Sequence, residues 1–178
     1  DQIICLDHPW YHKGIIQDQV KRLPKWVVLI NRKIFLKKAS KFKCTKKIFL
    51  DRSGSRFNHC QIFDQKPVNK WVKKNDFSIY KPEKLSFKKQ IHLFKNASII
   101  LGAHGAAFTN IIFCKPGTKI IEIIPANHPN RKCERISKIL KLKHFRIVTK
   151  SDNSNKNFPF RIHLEKKHLK MIKKAINL

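Results

Sequence analysis

The chain has 178 residues, of which 42% are hydrophobic, and this is enough for one globular domain with a buried core. Its 40 Lys and Arg residues against 11 Asp and Glu residues give a net charge of +29. The composition excludes an intrinsically disordered chain, and no apolar run reaches the 18 residues or so of a membrane-spanning helix.

The net charge is open to several interpretations. A strongly basic chain can bind nucleic acid, an anionic membrane or an anionic substrate. Most of the cationic residues are Lys spread along the whole sequence, whereas phosphate and base recognition usually recruits Arg. We therefore favour a general bias toward Lys over nucleic-acid binding, and we keep contact with anionic lipid headgroups as a secondary interaction.

In chain order, residues 1–23 are interpreted as a linker or the remnant of a preceding domain, because Pro9 disfavours a helix there. Residues 24–150 then alternate between helical periodicity and short apolar runs. The predicted elements are a helix at 24–39, a strand at 46–51, a helix at 66–74, a strand at 76–80, a helix at 87–96, a strand at 98–102, a helix at 105–113, a strand at 119–124, a helix at 130–142 and a strand at 145–149. Residues 151–178 are predicted to form a polar loop and a C-terminal helix at 163–176 that packs on the domain.

This alternation predicts an α/β fold, a Rossmann-like doubly wound parallel sheet with helices on both faces. In the first helix, helical spacing places Trp26, Leu29, Ile30 and Ile34 on a shared face.

The segment from Ala97 to Pro125 reads as a strand, a glycine turn, a helix N-terminus and a second strand. Gly102 and Gly105 would let the backbone approach a ligand, and the helix N-terminus offers free N–H groups and a partial positive charge. This arrangement suits a diphosphate, although small residues at such a junction also serve tight packing.

Arg52 and Arg56 follow the end of the first strand and are suited to clamp phosphate oxygens. An exposed loop of a very basic protein is the alternative. Glu122 interrupts an apolar strand, and a buried carboxylate needs a partner. Ribose hydroxyls, or a Lys or Arg side chain, would supply one. His104 could bind a phosphate or a backbone carbonyl, and Asn110 could reach a ligand or cap locally.

Other motifs point away from metal chemistry. The five cysteines are an odd number without CxxC spacing, which argues against a disulfide framework or a zinc site and favours buried thiols in a reducing compartment. There is no P-loop, GxSxG or HExxH motif and no acidic cluster for magnesium, so a metal-dependent phosphoryl transferase is not expected.

Three stretches together resemble the family 61 glycosyltransferases. They are KIFLDRSGSRFN at 47–58, Leu85-Ser86-Phe87 with Gln90, and GAHGAAFTNIIFCKPGTKIIEI at 102–123. This family includes bacterial capsular-polysaccharide enzymes, plant xylosyltransferases and lumenal O-linked N-acetylglucosaminyltransferases of animals. The resemblance spans residues 23–149.

The resemblance implies an inverting enzyme of the two-Rossmann-domain (GT-B) type, with residues 24–150 as its C-terminal nucleotide-sugar-binding domain. It would transfer a hexose or a pentose from a nucleotide diphosphate sugar, expected to be a UDP-sugar, to a glycan or polysaccharide acceptor, without a cofactor or metal. The matching donor-binding residues are Arg52, Ser55, Arg56, Asn58, Gly102, His104, Gly105, Ala106, Asn110 and Glu122. The catalytic base is not identified, and we expect the N-terminal domain of the same protein to lie outside this chain.

Two departures leave the donor open: His59-Cys60-Gln61 follows Asn58, and Ala107 stands where a glycine is common. We expect a cytoplasmic protein, peripheral at the inner face of the membrane, or a lumenal one if the source is eukaryotic. Two alternatives remain. One is a basic α/β module that binds nucleic acid or an anionic membrane without catalysis, and the other is a degenerate domain that binds a nucleotide but transfers nothing.

Overall fold

The computed structural model describes residues 23–54, 59–126, 128, 131–152 and 160–178. The predicted linker at 1–23 lies outside the described residues except for Leu23, and so does most of the predicted polar loop after residue 151.

The described α-helices are α1 (Lys25–Leu36), α2 (Gln65–Lys74), α3 (Phe87–Asn96), α4 (Lys132–Leu140) and α5 (Lys166–Asn177). The strands of the main sheet are β1 (Lys47–Leu50), β2 (Ser78–Tyr80), β3 (Ile99–Ala103), β4 (Lys119–Pro125) and β5 (Lys143–Thr149). Two short strands that the sequence did not indicate, β6 (Ser151–Asp152) and β7 (Arg161–Ile162), form an antiparallel pair. Two 3-10 helices occupy Pro82–Lys84 and Ala106–Phe113.

The main sheet has the strand order β2-β1-β3-β4-β5, and every neighbouring pair is parallel. This confirms the predicted α/β fold. The chain runs outward from β1 to β2 and then crosses back to β3 on the other side of β1. At such a switch point the two connections leave in opposite directions, and a crevice opens at the carboxyl ends of the strands.

Both faces of the sheet are covered. One core lies between the strands and α1, α3, α4 and the second 3-10 helix, and the other lies between the strands and α2 and α5. Successive strand residues point to opposite cores, as Leu101 and Ile121 do on one side and Ile100 and Ile120 on the other. Burial on both faces explains why the strands read as continuous apolar runs.

The segment after β3 differs from an ordinary α-helix. Residues Ala106–Phe113 form a 3-10 helix, in which side chains three residues apart share a face. Phe108 and Ile111 have this spacing and are both buried. The β-branched residues Thr109, Ile111 and Ile112 also disfavour a regular α-helix.

Within the described residues, no helix combines the length and the apolar character that crossing a bilayer requires.

Candidate functional site

A cavity of about 550 Å³ opens at the switch point, where the order of the strands reverses, between the carboxyl ends of β1 and β3. Its walls come from the loop after β1, the first 3-10 helix, α3 and the second 3-10 helix. The lining residues are Arg52, Gly54, Pro82, Glu83, Gln90, Ala106, Ala107 and Asn110. We call this cavity the crevice. The structure thus brings three predicted site residues, Arg52, Ala106 and Asn110, to one cavity.

Arg52 lies directly over Gly105. A Cβ atom built on Gly105 would overlap the guanidinium of Arg52, so the position needs a residue without a side chain. The backbone φ of Gly105 is 170°, an extended value open to any residue, and space is therefore the reason for glycine. Nη2 of Arg52 donates to the carbonyl oxygen of His59 at 3.0 Å. Burial lowers the pKa of Arg52 from its ordinary value, but a guanidinium keeps its charge in proteins.

Asp51 fixes the turn that carries Arg52. Its buried carboxylate accepts hydrogen bonds from the backbone N–H of Ser53 at 2.8 Å and from the Ser53 hydroxyl at 3.1 Å. Nζ of Lys81 lies 3.6 Å from the same carboxylate. This ion pair connects the turn after β1 to Lys81, the residue that directly follows β2.

Gln90 connects two walls of the crevice. Its Nε2 donates to the carbonyl oxygens of Pro82 at 2.9 Å and Leu85 at 3.0 Å. Its Oε1 accepts from Nδ2 of Asn110 at 2.7 Å. The amide of Asn110 is therefore oriented by α3 rather than by a local cap.

Glu122 lies in β4, buried to 2% exposure, between two histidines. Oε1 is 2.5 Å from Nδ1 of His104, and Oε2 is 2.9 Å from Nε2 of His144. Burial by itself raises the pKa of Glu122, but the hydrogen bonds with the two histidines outweigh it and hold this pKa well below its usual range. The carboxylate is therefore ionised at neutral pH, and its partners are histidines rather than the Lys or Arg considered from the sequence.

His144 is a site neighbour that the sequence analysis missed. It lies in β5, which begins at Lys143 rather than at the predicted residue 145. In the register of the two strands, Glu122 is opposite Arg146, two residues beyond His144. The side chains of His144 and Arg146 therefore project to the same side of β5. A strand predicted to begin at residue 143 would have placed His144 in the sheet, but the register that brings it to Glu122 comes from the tertiary structure.

A cluster of rings that the sequence did not indicate adjoins Arg52. The ring centroid of His128 lies 4.3 Å from that of His104 and 5.1 Å from that of His59. Phe160 packs on His59 and His128, each at 5.1 Å. Burial, reinforced by His104 and His59, lowers the pKa of His128 to about 4. Burial and the nearby Arg52 likewise lower the pKa of His59, so both rings are neutral at pH 7.

Two groups of side chains in the described residues have metal-ligand chemistry, with ligand atoms within 4.8 Å of one another. The first is His59, Cys60 and His128, and the second is His104, Glu122 and Cys133. Burial raises the pKa of Cys60 to about 12 and that of Cys133 well above its usual value. The charges of Arg52 and Lys132 act on these groups and disfavour a divalent cation, so we assign no metal site.

The remaining predicted residues divide into two sets. Ser55, Arg56 and Asn58 lie outside the described residues. Gly102 is buried inside β3, where a Cβ would lie 3.0 Å from Cβ of Leu50 and 3.4 Å from the Phe108 ring. The missing side chain at Gly102 thus lets β1 and the second 3-10 helix pack closely.

Comparison with known proteins identifies the family. The profile described as Glycosyltransferase 61 matches residues 2–121, more than half of the chain. The chain belongs to the glycosyltransferase 61 family. The resemblance noted in the sequence is therefore confirmed. The matched region of this family 61 chain includes the whole crevice and ends one residue before Glu122.

Two curated relatives are similar to short stretches of this family 61 chain. A beta-1,2-xylosyltransferase of Arabidopsis thaliana is 41% identical over 54 residues, which are 30% of this chain and 10% of that protein. Beta-1,2-xylosyltransferase RCN11 of Oryza sativa subsp. japonica is 40% identical over 40 residues, 22% of this chain and 8% of that protein. The matches therefore span about a tenth of the length of these relatives.

Proposed function

We propose that this chain is the donor-binding, C-terminal part of an inverting GT-B glycosyltransferase that uses a nucleotide diphosphate sugar, with a glycan or polysaccharide as acceptor. The observation that carries the proposal is the packing of Arg52 over Gly105 at the crevice. Membership of the glycosyltransferase 61 family supports the same reaction class.

The charge at the crevice fits the leaving group. In the proposed transfer, an acceptor hydroxyl oxygen forms a bond to the anomeric carbon, and the bond from that carbon to the diphosphate breaks. The electron pair stays on the diphosphate, where negative charge develops. Arg52 and the N–H groups at the start of the 3-10 helix after Gly105 would stabilise that charge without a metal ion. The base that takes the acceptor proton is left unassigned.

The shape of the crevice is also compatible with a nucleotide sugar. Its volume of about 550 Å³ is within the range of small-molecule sites. The small residues Ala106 and Ala107 leave room beside the Gln90–Asn110 pair. In this proposal Glu122 acts through His104, since both carboxylate oxygens already contact histidines. Direct contact of Glu122 with a ribose stays a prediction.

The names of the relatives suggest which donor to test first. Both are called xylosyltransferases, so we propose a pentosyl donor, UDP-xylose, as the first candidate. UDP-N-acetylglucosamine represents the hexosyl alternative, and a UDP-sugar remains the expected class for either.

Calorimetric titration of the chain with UDP and the two UDP-sugars, with and without EDTA, tests the proposal. We expect saturable binding that EDTA does not change. Removing a charge-assisted contact is worth about 1.5–3 kcal/mol, so Arg52→Ala should weaken UDP binding on the order of tenfold or more. Arg131→Ala, which removes an exposed Arg paired with Glu134, is the matched control and should bind like wild type.

Wild-type affinity in Arg52→Ala, or no nucleotide binding by the wild-type chain, would overturn the assignment. Steeply salt-dependent binding of duplex DNA without saturable nucleotide binding would favour the nucleic-acid alternative. In the longer protein, Arg56→Ala should reduce turnover by about 10²–10³ while the fold is kept.

A further inference from the structure

The outer face of α1 is apolar and exposed. Trp26, Leu29, Ile30 and Ile34 are 57%, 41%, 47% and 48% exposed, respectively. These are the residues that helical spacing placed on a shared face. The structure turns that face outward and buries the opposite one.

The inner face of α1 is firmly attached to the domain. Val28 is 3% exposed and belongs to one of the two cores. Nη1 of Arg32 donates to the carbonyl oxygens of Ile112 at 2.5 Å and Cys114 at 2.6 Å. The exposed apolar face therefore belongs to a helix that is fixed in place.

Lysines lie within and beside this face. Lys33 and Lys37 are exposed, and on a helix they fall at the same angular positions as Trp26 and Ile30. A second cavity, of about 540 Å³, lies at the C-terminal end of α1, and Lys37, Lys38, Ala39, Ser40 and Lys88 line it. The sequence from residue 25 to residue 50 contains no Asp or Glu. The face is therefore apolar and cationic, with no acidic residue on its own helix.

We propose that α1 is a membrane-docking helix that lies in the headgroup region of an anionic bilayer. Trp, Leu and Ile side chains would enter the acyl boundary, and the lysines would extend to the lipid phosphates. The lysine-lined cavity would accept a headgroup phosphate. This inference rests on α1 and its neighbours, and it does not depend on the proposed function.

The mixture of side chains favours a membrane over other partners. A nucleic-acid surface gives no reason for four exposed apolar side chains, since its phosphate contacts are polar. A protein groove that covered the apolar residues would bury Lys33 and Lys37 unless it supplied carboxylates for them. A bilayer satisfies both groups, because aliphatic chains and anionic phosphates lie a few ångströms apart. The crevice residues named above come from elements other than α1.

Co-sedimentation of the 178-residue chain with vesicles tests the proposal. We expect binding to vesicles of phosphatidylcholine with 30% phosphatidylserine, and much weaker binding to pure phosphatidylcholine. The double variant Trp26→Ser/Ile30→Ser should lose detectable binding at physiological salt. Each lysine near an anionic surface contributes roughly a fivefold factor in affinity, so Lys33→Glu/Lys37→Glu should weaken binding by at least about 25-fold.

The matched control has the same change in charge on another surface. Lys166 and Lys170 are exposed on α5, and Lys166→Glu/Lys170→Glu should retain most of the binding. Equal losses in the two charge variants would show that the net charge attracts the chain without a defined face, which overturns the proposal. All variants should first show wild-type circular dichroism and thermal unfolding.

Fluorescence separates insertion from mere association. Vesicles that carry brominated acyl chains should quench the fluorescence of the wild-type chain, and the quenching should fall sharply in Trp26→Phe. Undiminished quenching in Trp26→Phe would contradict the proposal. If the wild-type chain ignores vesicles but sediments as a dimer that Trp26→Ser/Ile30→Ser dissociates, the face binds a second copy and the proposal is wrong.

Discussion

Nδ1 of His104 lies 2.5 Å from Oε1 of Glu122, and both side chains are almost completely buried. Gly102, two residues before His104, is the register partner of Glu122 on the neighbouring strand. The ionised carboxylate requires a proton on Nδ1 of His104, which leaves Nε2 for a second contact. A residue deep in β4 thereby controls the hydrogen-bonding state of a residue at the turn beside the crevice.

Glu122→Gln should weaken nucleotide binding while the fold is kept. The amide has nearly the shape of the carboxylate, but it cannot hold the charge-assisted hydrogen bonds of both histidines. The lost hydrogen bonds lie within the protein, so they affect binding only through the orientation of His104, and we expect UDP affinity to fall by at most about tenfold, less than for a direct charged contact. Calorimetric titration of UDP measures the loss, and chemical denaturation confirms the folded state.

His144→Gln provides the comparison for Glu122→Gln, because it removes the other partner of the same carboxylate. His144 is in β5, two strands away from β3 in the sheet, whereas His104 lies between the end of β3 and Gly105. We expect a loss of stability with UDP affinity within about twofold or threefold of wild type. If both variants weakened UDP binding equally, the specific role of the His104 contact would be wrong.

Gly105→Ala should resemble Arg52→Ala in nucleotide binding. The added Cβ would occupy the position of the guanidinium, so Arg52 must move away from the crevice wall. We expect UDP affinity to fall on the order of tenfold, as for loss of a charged contact. Gly54→Ala is the matched control in the same crevice, since its Cβ would meet the Glu83 carboxylate at 3.2 Å, and that side chain can move. A Gly105→Ala chain with normal UDP affinity would contradict the packing argument.

Gln90→Ala should destabilise the folded chain by about 1–3 kcal/mol, because the loss of the three Gln90 hydrogen bonds leaves buried or half-buried partners unsatisfied. Urea unfolding measures this change in the free energy of unfolding. A double-mutant cycle with Asn110→Ala should give a coupling energy of about 0.5–3 kcal/mol. Additive losses would show that the Gln90–Asn110 contact is not formed in solution.

Acidification should destabilise the chain through His128. Its pKa is lowered from 6.5 to about 4 in the folded protein, by burial first and then by electrostatic interactions with the His104 and His59 rings. Between these pH values the unfolded chain binds a proton that the folded chain does not, so the free energy of unfolding falls as the pH falls through this window. His128 is half-buried, and with solvent screening we expect about 1 kcal/mol.

His128→Gln should therefore reduce the difference in the free energy of unfolding between pH 7 and pH 5. Urea denaturation at the two pH values measures this difference for wild type and variant. An unchanged pH dependence in the variant would show that His128 is solvated in the folded protein.

The elements of the fold followed from local patterns. Apolar runs bounded by Gly, Pro and Asn gave the strands, because strands buried on both faces need no polar alternation. The alternation of strands and helices predicted a parallel sheet, since parallel neighbours require crossover connections. The positions of Arg52 after β1 and of the glycine turn after β3 then predicted a site at one edge. Parallel strands end at a shared edge of the sheet, and for this reason residues far apart in the sequence could be predicted to lie close together.

The side-chain partners across the sheet could not be predicted from local sequence patterns. The sequence showed that Glu122 needed a partner, but its two histidines were fixed by the register of β3, β4 and β5, which depends on how the layers pack. The ring cluster of His59, His128 and Phe160 likewise joins three separate segments.

The sequence by itself determined the fold class and the family, and it predicted the edge of the sheet where the candidate site lies, because these depend on periodicity and on motifs in chain order. The tertiary structure decided that Gly105 makes room for Arg52, that Glu122 pairs with His104, and which face of α1 is exposed. The room for the Arg52 side chain and the contact of Glu122 with His104 depend on distances between segments that are far apart in the sequence. Helical periodicity shows which residues share a face, but not whether that face points to the core or to solvent. Trp26 and Val28 show this difference. Arg32 packs against the second 3-10 helix, and in this orientation of α1 Trp26 is exposed and Val28 lies in the core.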